Sequence, residues 1–541
     1  MREYIVTLKS HDDLQSFYDD METEGGDLYI PNRVTECCCR RPMSRNTHYH
    51  LTDAEAELVR RDSRVLAVEL TPADLGLVIK PCYTVTSSNW VKNTSANANH
   101  LNWGHLRCYE GENRSNWGSD GTTTVTGTVK MTSSGKNVDV VIVDGDVDPN
   151  HPEMAVNANG TGGTRVIQYN WFQHASEVGD TGNIGGTYSY TIDVNSSGDN
   201  HGMHVAGTVA GNTYGWAREA NIYNINPYSG SPVSDLRLFE YIKAFHLSKP
   251  INPQTGYRNP TISNNSWSYF IRNPVSGVTS ITFRGVTTTS SFTATQLRDN
   301  YGIQTYNDNG TDVFDYPFRY ASIEADIEDA IVAGVIVVGA SSNDYMKIDV
   351  VGGQDYDNRI NSTGYYHRGG SPGSSNGVIC VGASSFFVNE RKADFSNCGP
   401  RVDIYAPGYY INSSLYTGGS GTPVTDPRNG TYRIGKYSGT SMACPQVSGV
   451  LACLLEQYPT LTQAQAMEII KSFATTGQMF DSGEDIGDSS FYNISDSLQG
   501  SVNRYLKYIQ VKPDTGVTYP SKIYNPRPTS GVTYPRVKRR R

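Results

Sequence analysis

The chain has 541 residues, of which 37% are hydrophobic and 18% are charged, and its formal net charge is −9. This length suits one large domain with smaller parts, or two to three domains. The acidic balance gives no general reason to bind nucleic acid or an anionic membrane. No run approaches the ~18 apolar residues of a membrane span, and no secretory signal is seen at the N-terminus, which favours an intracellular protein over a secreted one.

Residues 1–75 are predicted to form a small α+β unit. Apolar residues at helical spacing between Leu14 and Met21 predict one helix, and the capping-box pair Thr52 and Glu55 starts a second. Four short runs are predicted as strands: Tyr4–Leu8, Leu28–Ile30, Thr47–Leu51 and Val65–Leu70. The resulting order, βαββαβ, is typical of a ferredoxin-like sandwich.

Two segments lack regular patterns. Residues 76–100 are rich in Asn, Ser and Thr and are interpreted as a linker. Residues 506–541 contain the near-repeat TGVTYP and SGVTYP and end in three arginines, so they are predicted to form an extended basic tail. Such an end is more often solvated than a nucleic-acid site, and no nucleic-acid partner is predicted.

Residues 101–505 are predicted to form one α/β domain. Continuous apolar runs suit parallel strands that are buried on both faces: Val138–Val143, Ile222–Ile225, Val335–Val338, Val378–Val381 and Val402–Tyr405. Helical stretches lie between several of them: His204–Ala210, Ile323–Val332 and Met442–Leu455. This alternation indicates a doubly wound, mostly parallel sheet flanked by helices, interrupted by a β-rich insertion at about 268–320.

The nine cysteines are irregularly spaced, and three of them are consecutive, at residues 37–39. Three adjacent cysteines do not match the paired spacing of a tetrahedral metal site, and no metal ligands are assigned. Reduced thiols are the favoured interpretation. A disulfide that uses Cys380 or Cys398 remains the alternative.

Three segments place a reactive side chain beside the end of a strand or helix. Asp144 follows a buried apolar strand, His201 precedes a helix of small residues, and Ser441 stands where a buried helix begins. A serine becomes nucleophilic when a histidine removes its proton and a carboxylate orients that histidine. The start of a helix also offers N–H groups that can stabilise an oxyanion. Alone, each residue has a plainer interpretation, as a turn cap or as a satisfied core group.

Three sequence segments around these residues resemble the subtilisin family of serine proteases, most closely its proteinase K branch. They are IVDGDVDPNHPE, NHGMHVAGT and SGTSMACPQVSG. The resemblance implies a catalytic triad of Asp144, His201 and Ser441 in that chain order. It also implies that Asn343, after the strand Val335–Val338, donates to the oxyanion. Residues 1–75 resemble the I9-type inhibitory propeptide of these enzymes, and the fold implied is subtilisin-like.

The sequence departs from the family pattern at several positions. Asp146 replaces a glycine and places a second carboxylate near Asp144, while Met203 replaces a threonine and Gln446 a histidine. The substrate pocket that accepts the residue before the cleaved bond also departs from the family pattern, because serines replace glycines in its expected walls. These substrate-binding residues are Ser266, Trp267, Ser268, Ala340, Ser341 and Ser342. A narrower or more polar pocket is the hypothesis that follows.

The resemblance implies a serine endopeptidase that hydrolyses peptide bonds through an acyl-enzyme. It would be made as a zymogen and would process itself within residues 72–100. Its partners would be protein or peptide substrates and its own propeptide, which acts as an intramolecular inhibitor. No cofactor is required. The short loop 211–215 lacks the insertion that carries a strong calcium site in some subtilisins, so structural calcium is left unassigned.

The alternative is a catalytically weak or inactive protein that keeps a protease fold for a structural or interaction role. The repetitive basic tail and the Tyr/Gly/Ser/Thr-rich insertion resemble virion-associated subtilases, so a virion-associated location is favoured beside an intracellular one. A lipase-type hydrolase would need the order Ser, Asp, His. A sedolisin would need a carboxylate in place of His201. Both fit this sequence less well.

Overall fold

The computed structural model describes residues 1–31, 35–72, 74–75, 78–81, 84–85, 102–113, 129, 131, 133–188, 200–228, 231–386, 390–416, 423–481 and 497–509. No helix within these ranges is long and apolar enough to cross a membrane.

The regular elements are numbered along the chain. The strands are β1 (Arg2–Leu8), β2 (Asn46–Leu51), β3 (Val65–Leu70), β4 (Val78–Pro81), β5 (Thr84–Val85), β6 (Asp139–Val143), β7 (Asn221–Ile225), β8 (Thr261–Asn265), β9 (Trp267–Pro274), β10 (Ser280–Phe283), β11 (Val286–Thr289), β12 (Tyr306–Asp308), β13 (Thr311–Pro317), β14 (Val335–Ala340), β15 (Arg359–Ile360), β16 (Gly364–Tyr365), β17 (Ile379–Ser384), β18 (Ile404–Pro407), β19 (Ile411–Leu415), β20 (Val424–Thr425), β21 (Arg433–Ser438), β22 (Thr475–Thr476) and β23 (Arg504–Tyr505). The α-helices are α1 (Leu14–Glu22), α2 (Asp53–Val59), α3 (Trp103–Glu110), α4 (His201–Ala210), α5 (Leu238–Ser248), α6 (Ala294–Tyr301), α7 (Ala321–Val332), α8 (Thr440–Gln457) and α9 (Gln463–Phe473).

The N-terminal unit is a three-stranded antiparallel sheet of order β2-β1-β3 that packs on α1 and α2. The Thr52–Glu55 capping box forms as the sequence indicates. The strand predicted at Leu28–Ile30 does not form, since these residues lie in a turn and an irregular stretch. Leu28 and Ile30 instead pack half-buried against the apolar core of the unit. They therefore contribute apolar contacts without backbone pairing.

The main domain is built on an eight-stranded sheet of order β22-β23-β18-β17-β14-β8-β6-β7. All neighbours are parallel except β22 and β23 at one edge. Side chains alternate between two apolar layers: Val140 and Ile142 face the layer that holds α4 and α8, and Val141 and Val143 face the layer that holds α5 and α7. The doubly wound α/β architecture is confirmed.

The segment at 268–320 contains most of β9 and all of β10 to β13, and it also contains α6. Strands β9, β12 and β13 form one sheet with β4, whereas β10 and β11 form another with β15 and β16. The insertion has its own small apolar core, which includes Ile281, Leu297 and Phe314.

The main domain extends beyond residue 505, where the basic tail was expected to begin. Leu506, Tyr508 and Ile509 are buried. The Leu506 N–H donates to the carbonyl of Tyr405, and the Tyr508 N–H donates to that of Cys108. The chain therefore continues in the core at least to residue 509, and residues 510–541 lie outside the described part.

A buried ionic cluster joins the N-terminal unit to the main domain. Arg41 donates from Nε to Glu240 on α5 at 2.8 Å and from Nη2 to Asp326 on α7 at 2.5 Å, and all three side chains are 2% exposed or less. Ser44 also donates to Asp326, at 2.5 Å. Ionic groups this deeply buried are stable only when they are paired, so the two units are closely fitted to each other.

Glu69, at the end of the N-terminal unit, meets the first turn of α7. The Ser322 N–H donates to Glu69 Oε2 at 3.3 Å. Burial raises the pKa of the Glu69 carboxyl to about 7, although backbone N–H groups at Ala321 and Ser322 oppose this shift. Close by, the Tyr320 hydroxyl donates to the carbonyl of Leu70 at 2.6 Å.

Candidate functional site

The carboxyl ends of three adjacent parallel strands carry polar residues at one edge of the main sheet. Asp144 follows β6, Ser266 follows β8, and Asn343 comes three residues after β14. Strand β8 lies between β6 and β14 in the sheet. The fold therefore gathers these residues at the edge where α/β proteins usually bind ligands.

Asp144 and His201 are in direct contact. His201 Nδ1 and Asp144 Oδ1 are 2.6 Å apart, and both side chains are fully buried. The Gly145 N–H and the Tyr228 hydroxyl also donate to Asp144 Oδ1, at 2.8 and 3.4 Å. In a Ser-His-Asp triad, a carboxylate bound to Nδ1 leaves Nε2 as the ring nitrogen that acts as the base. The contact between Asp144 and His201 agrees with the predicted triad, whose catalytic role stays a prediction.

His204, one turn along α4 from His201, has a different role. Its Nε2 lies 2.8 Å from the carbonyl of Ile411, and its ring stacks on Tyr437 with centroids 4.7 Å apart. Burial, with a smaller contribution from the nearby His201, lowers the pKa of His204 to about 3, although the carbonyl of Ile411 opposes this shift. His204 is therefore a neutral packing residue between α4 and the strands β19 and β21.

Ser441 lies in the first turn of α8, and its hydroxyl bonds to the neighbouring strand end. Ser441 Oγ donates to the carbonyl oxygen of Ser266 at 2.8 Å, and Ser266 Oγ donates back to the carbonyl of Ser441 at 3.1 Å. Both serines are fully buried.

The Ser441 carbonyl accepts from Ser266 because Pro445 leaves it without a hydrogen-bond donor within α8. Pro445 is the sixth residue of α8 and so lies beyond the first turn of that helix. Since proline has no N–H, the helical bond that residue 445 would donate to the Ser441 carbonyl is missing. The Ser266 hydroxyl replaces it.

A row of buried polar side chains supports Ser266 from behind. Asn264 Nδ2 donates to Ser266 Oγ at 3.1 Å, and Ser448 Oγ, on the second turn after Ser441, donates to Asn264 Oδ1 at 2.7 Å. All of these residues are fully buried. The row thus ties β8 to both the start and the middle of α8, and it fixes the nucleophile relative to the sheet.

Asn343 is oriented by Thr440, the residue before the nucleophile. Its Oδ1 accepts from the Thr440 N–H at 3.0 Å and from Thr440 Oγ1 at 2.8 Å. These two bonds fix the plane of the amide and place Nδ2 on the side away from Thr440. Ser342, just before Asn343, has φ +81°, in the left-handed region that favours glycine.

Asp146, the second carboxylate in this segment, bonds to two residues outside the triad. Its carboxylate accepts from Asn226 Nδ2 at 3.2 Å, and its backbone carbonyl accepts from the Tyr416 hydroxyl at 2.7 Å. The side chain is thus turned toward the residue after β7. The carboxylate that contacts His201 Nδ1 is that of Asp144.

Gln446 is a structural residue. It is fully buried, and its Oε1 accepts from Trp216 Nε1 at 2.6 Å. The Trp216 ring also contacts His105 and stacks on Tyr508. Gln446 therefore belongs to the packing between α8 and the C-terminal residues, and its difference from histidine leaves the site chemistry intact.

The predicted substrate-binding residues lie on two neighbouring segments at the sheet edge. Each of them is 6% exposed or less in the intact chain: Ser266, Trp267, Ser268, Ala340, Ser341 and Ser342. Trp267 packs on Tyr269 with ring centroids 5.5 Å apart, and the Tyr269 hydroxyl donates to Asp235 at 2.8 Å. The roles of these residues toward substrate stay a prediction.

A second ionic cluster braces the elements that carry His201 and Ser441. Glu153 accepts from the Thr213 N–H at 2.8 Å, in the loop after α4, and from the Arg428 guanidinium. Arg428 also pairs with Asp426 at 2.7 Å, in the hairpin that leads into β21 and α8. Both carboxylates are fully buried.

The eight described cysteines, which include Cys380 and Cys398, are free thiols. Burial raises the pKa of the Cys380 thiol to about 12, so this thiol stays protonated and unreactive. The disulfide that the sequence left open is not formed by either residue.

The sequence predicts the triad and Asn343, but it does not identify the residues that position them. Three of these positioning residues belong to no motif of reactive residues: Asn264, Thr440 and Ser448. The sequence predicts Ser266 only as a wall of the substrate pocket. Two signals were available. Pro445 indicates that the carbonyl four residues earlier in the helix needs another donor. The polar run Asn264–Ser266 is the other signal, because polar residues in a buried position need hydrogen-bond partners.

Comparisons with known proteins agree on one family. The sequence model of the Subtilase family, peptidase S8, matches residues 135–501. Subtilisin E of Bacillus subtilis (strain 168) is 29% identical over 210 residues, which cover 36% of this chain and 47% of that protein. Subtilisin-like protease 5 of Trichophyton verrucosum is 30% identical over 261 residues, 48% of this chain and 44% of that protein. The chain thus spans about half the length of these relatives.

Solved structures were also found by fold comparison. A cold adapted subtilisin-like serine proteinase has a TM-score of 0.44 at 19% identity, with 76% of this chain and 98% of that chain covered. Fervidolysin from Fervidobacterium pennivorans, a keratinolytic enzyme related to subtilisin, has a TM-score of 0.47 at 18% identity, with 93% and 60% covered.

Proposed function

Because the chain belongs to the subtilase family, we propose that it is a serine endopeptidase that uses Ser441 as nucleophile, His201 as base and Asp144 as the orienting carboxylate. The observation that carries this proposal is the 2.6 Å contact between His201 Nδ1 and Asp144 Oδ1, beside a serine in the first turn of α8. Family membership alone would not distinguish an active enzyme from one that has lost its site.

The proposed reaction follows from the chemistry of these groups. His201 Nε2 takes the proton of Ser441 Oγ as the oxygen attacks the peptide carbonyl carbon. The Asn343 amide and the N–H groups at the start of α8 stabilise the oxyanion. The C–N bond then breaks, and His201 returns the proton to the leaving amine. Water hydrolyses the ester by the same steps and releases a carboxylate.

The protein would be made as a zymogen in which residues 1–75 inhibit the main domain. The buried contacts of Arg41 with Glu240 and Asp326 support a close fit between the two. The full burial of His201 and Ser441 in the intact chain also supports a site that substrates cannot enter before processing. Protein or peptide substrates are the partners that this function requires.

The test compares purified wild type with Ser441→Ala. Wild type should degrade casein, and a serine-directed inhibitor should stop it. Ser441→Ala should be inactive and should keep its full-length mass. Ser472→Ala is the matched control, since this serine lies exposed on α9 and bonds to the carbonyl of Ile469 on the same helix, and it should retain casein cleavage. Wild type that folds but cleaves neither casein nor itself would instead support the non-catalytic alternative.

A further inference from the structure

Asn224, on the last strand of the main sheet, lies behind the turn that carries Asp144. It is opposite Ile142 in the parallel pairing of β7 with β6. Ile222 packs in the apolar layer that holds α4 and α8, and side chains two residues apart on a strand share a face. Asn224 is fully buried. An amide group therefore lies among apolar side chains, beside the helix that begins at His201.

The amide nitrogen of Asn224 meets three backbone carbonyls. Its Nδ2 donates to the carbonyls of Ile142 at 3.0 Å, Gly145 at 3.1 Å and Asp144 at 3.3 Å. An amide NH₂ has two hydrogens, so one of these bonds is shared. The opposite orientation of the amide would bring Oδ1 against three carbonyl oxygens. Since β6 ends at Val143, Asn224 continues the hydrogen bonding of the sheet into the turn beyond that strand.

Gly145, which this amide holds, also contacts the helix that bears the histidine. A side chain at Gly202, the residue after His201, would collide with the Gly145 carbonyl oxygen. The Gly145 N–H donates to Asp144 Oδ1 at 2.8 Å. The position of Gly145 therefore affects both the direction of the Asp144 carboxylate and the place where α4 begins.

The backbone of Asn224 is itself anchored. Trp171 Nε1 donates to the Asn224 carbonyl at 2.8 Å, and both residues are fully buried. Within the described part of the chain, no group donates to Asn224 Oδ1, although that oxygen is buried. A buried acceptor without a donor lowers the stability of the fold. This amide is therefore not arranged for stability alone, which points to a role in the site in front of it.

From these contacts we propose that Asn224 is a positioning residue for the reaction, because it fixes the turn that sets Asp144 Oδ1 against His201 Nδ1. This inference rests on the proposed endopeptidase function, in which that pair activates Ser441. Asn224 acts through the backbone of the turn. The positive charge on the histidine develops only during the reaction, so a misplaced carboxylate should lower kcat and leave KM nearly unchanged.

Steady-state hydrolysis of a peptide by the processed enzyme tests this role. Asn224→Leu keeps a similar size but removes the donor, and it should lower kcat by about ten- to a hundredfold. Asn224→Ser keeps one donor and should lose less, and it keeps the test usable if the leucine variant does not fold.

Asn212→Leu is the matched control. Asn212 is also buried, and its Nδ2 donates to the carbonyls of Pro152, Ala155 and Asn157 at 3.1, 2.8 and 3.2 Å. It lies after the other end of α4, so its variant should keep the wild-type kcat. An unchanged kcat in folded Asn224 variants, or an equal loss in Asn212→Leu, would overturn the positioning role.

Proton NMR of the full chain in the Ser441→Ala background gives a readout that needs no activity. The hydrogen between His201 Nδ1 and Asp144 Oδ1 should resonate far downfield, because this bond is short. Asn224→Leu should shift or broaden that resonance, whereas Asn212→Leu should not. The same resonance in both variants and in the parent would overturn the proposal and leave the endopeptidase function standing. Wild type that cleaves no casein would instead overturn the proposed function, and the resonance would still decide whether Asn224 positions the pair.

Discussion

Ser266 and Ser441 exchange two hydrogen bonds, from Ser441 Oγ to the Ser266 carbonyl at 2.8 Å and from Ser266 Oγ to the Ser441 carbonyl at 3.1 Å. The second bond replaces the helical bond that Pro445 cannot make. Ser266, which directly precedes strand β9, thus also holds the first turn of helix α8. A change at Ser266 should affect the reaction more than the binding of substrate.

Ser266→Ala should lower kcat about tenfold, equivalent to about 1.4 kcal/mol in the barrier, with a small change in KM. The physical reason is that the buried Ser441 carbonyl is left without a partner, which shifts the first turn of α8. Steady-state hydrolysis of a peptide substrate measures both constants. Ser263→Ala removes a buried hydroxyl from the same chain segment and should leave kcat unchanged; an equal loss in both variants would argue against a positioning role.

Asn343→Leu should lower kcat by about 10²–10³ because one oxyanion donor is lost. Thr440→Val removes one of the two bonds that orient Asn343 and should give a smaller loss in kcat. KM should change little in either variant, since the oxyanion forms only during the reaction. A kcat of Asn343→Leu that stays near the wild-type value would exclude Asn343 from the oxyanion site.

Ser342→Gly should stabilise the protein by about 0.5–1 kcal/mol. Backbone strain at a non-glycine residue with positive φ destabilises the folded state by about 1–2 kcal/mol. Glycine removes this strain, but its greater conformational freedom stabilises the unfolded chain and offsets part of the gain. Ser341→Gly, at a neighbouring position outside the left-handed region, should destabilise. Thermal unfolding of both changes in the Ser441→Ala background measures the difference, and a lower Tm for Ser342→Gly would contradict the strain argument.

Arg428→Met should destabilise the protein by about 3 kcal/mol or more, because it leaves Glu153 and Asp426 as unpaired buried carboxylates. Denaturant unfolding of Ser441→Ala proteins would measure this. Arg433→Met is the control, since Arg433 donates to the backbone carbonyls of Gly430 and Tyr432. An equal decrease in the free energy of unfolding of both arginine variants would show that the buried ion pairs of Arg428 stabilise the protein no more than the backbone contacts of Arg433 do.

The same cluster predicts how stability depends on pH. Burial alone would raise the pKa of Glu153, but Arg428 and the Thr213 N–H overcome burial and hold it at about 2. A carboxyl whose pKa is lowered by folding contributes stability above its ordinary pKa, and this contribution is lost as the pH falls. We therefore expect stability to decline between about pH 4.5 and pH 2, and Glu153→Gln to flatten that decline. An unchanged slope would mean that other carboxyls control acid unfolding.

Arg41→Met should weaken the contact between the N-terminal unit and the main domain, because Glu240 and Asp326 would lose their buried cation. In the Ser441→Ala background, the linker around residues 76–100 should then be cut faster by an added protease. The linker of the Arg60→Met variant, which loses an exposed ion pair with Glu57, should be cut at the same rate as that of the Ser441→Ala parent. The same rate in all three proteins would show that Arg41 does not hold the two units together.

The sequence predicts the parts of this structure that local patterns determine. Continuous apolar runs identify β6 and β14, and the three motifs identify Asp144, His201 and Ser441. Strand β8 was not predicted, since its sequence, TISNN, is polar. It lies fully buried in the middle of the sheet because its asparagines find partners there, as Asn265 Nδ2 does with the Val338 carbonyl at 3.1 Å.

Contacts between distant segments that carry no family motif could not be predicted. The pairing of β4 with β9 joins residues far apart in the chain, and nothing in the Asn/Ser/Thr-rich sequence after residue 75 indicates a strand partner. The same applies to Arg428, an ordinary loop arginine in the sequence, whose guanidinium reaches the buried Glu153. Such features depend on tertiary structure, which overrides local preference.

Covalent labelling with a fluorophosphonate tests most directly whether Ser441 is an activated nucleophile. The processed protein should take up one label per chain, and peptide mapping should place it on Ser441. His201→Ala should react far more slowly, because the serine then lacks its base. A processed wild-type protein that takes up no label, or takes it up on another serine, would contradict a catalytic role for Ser441.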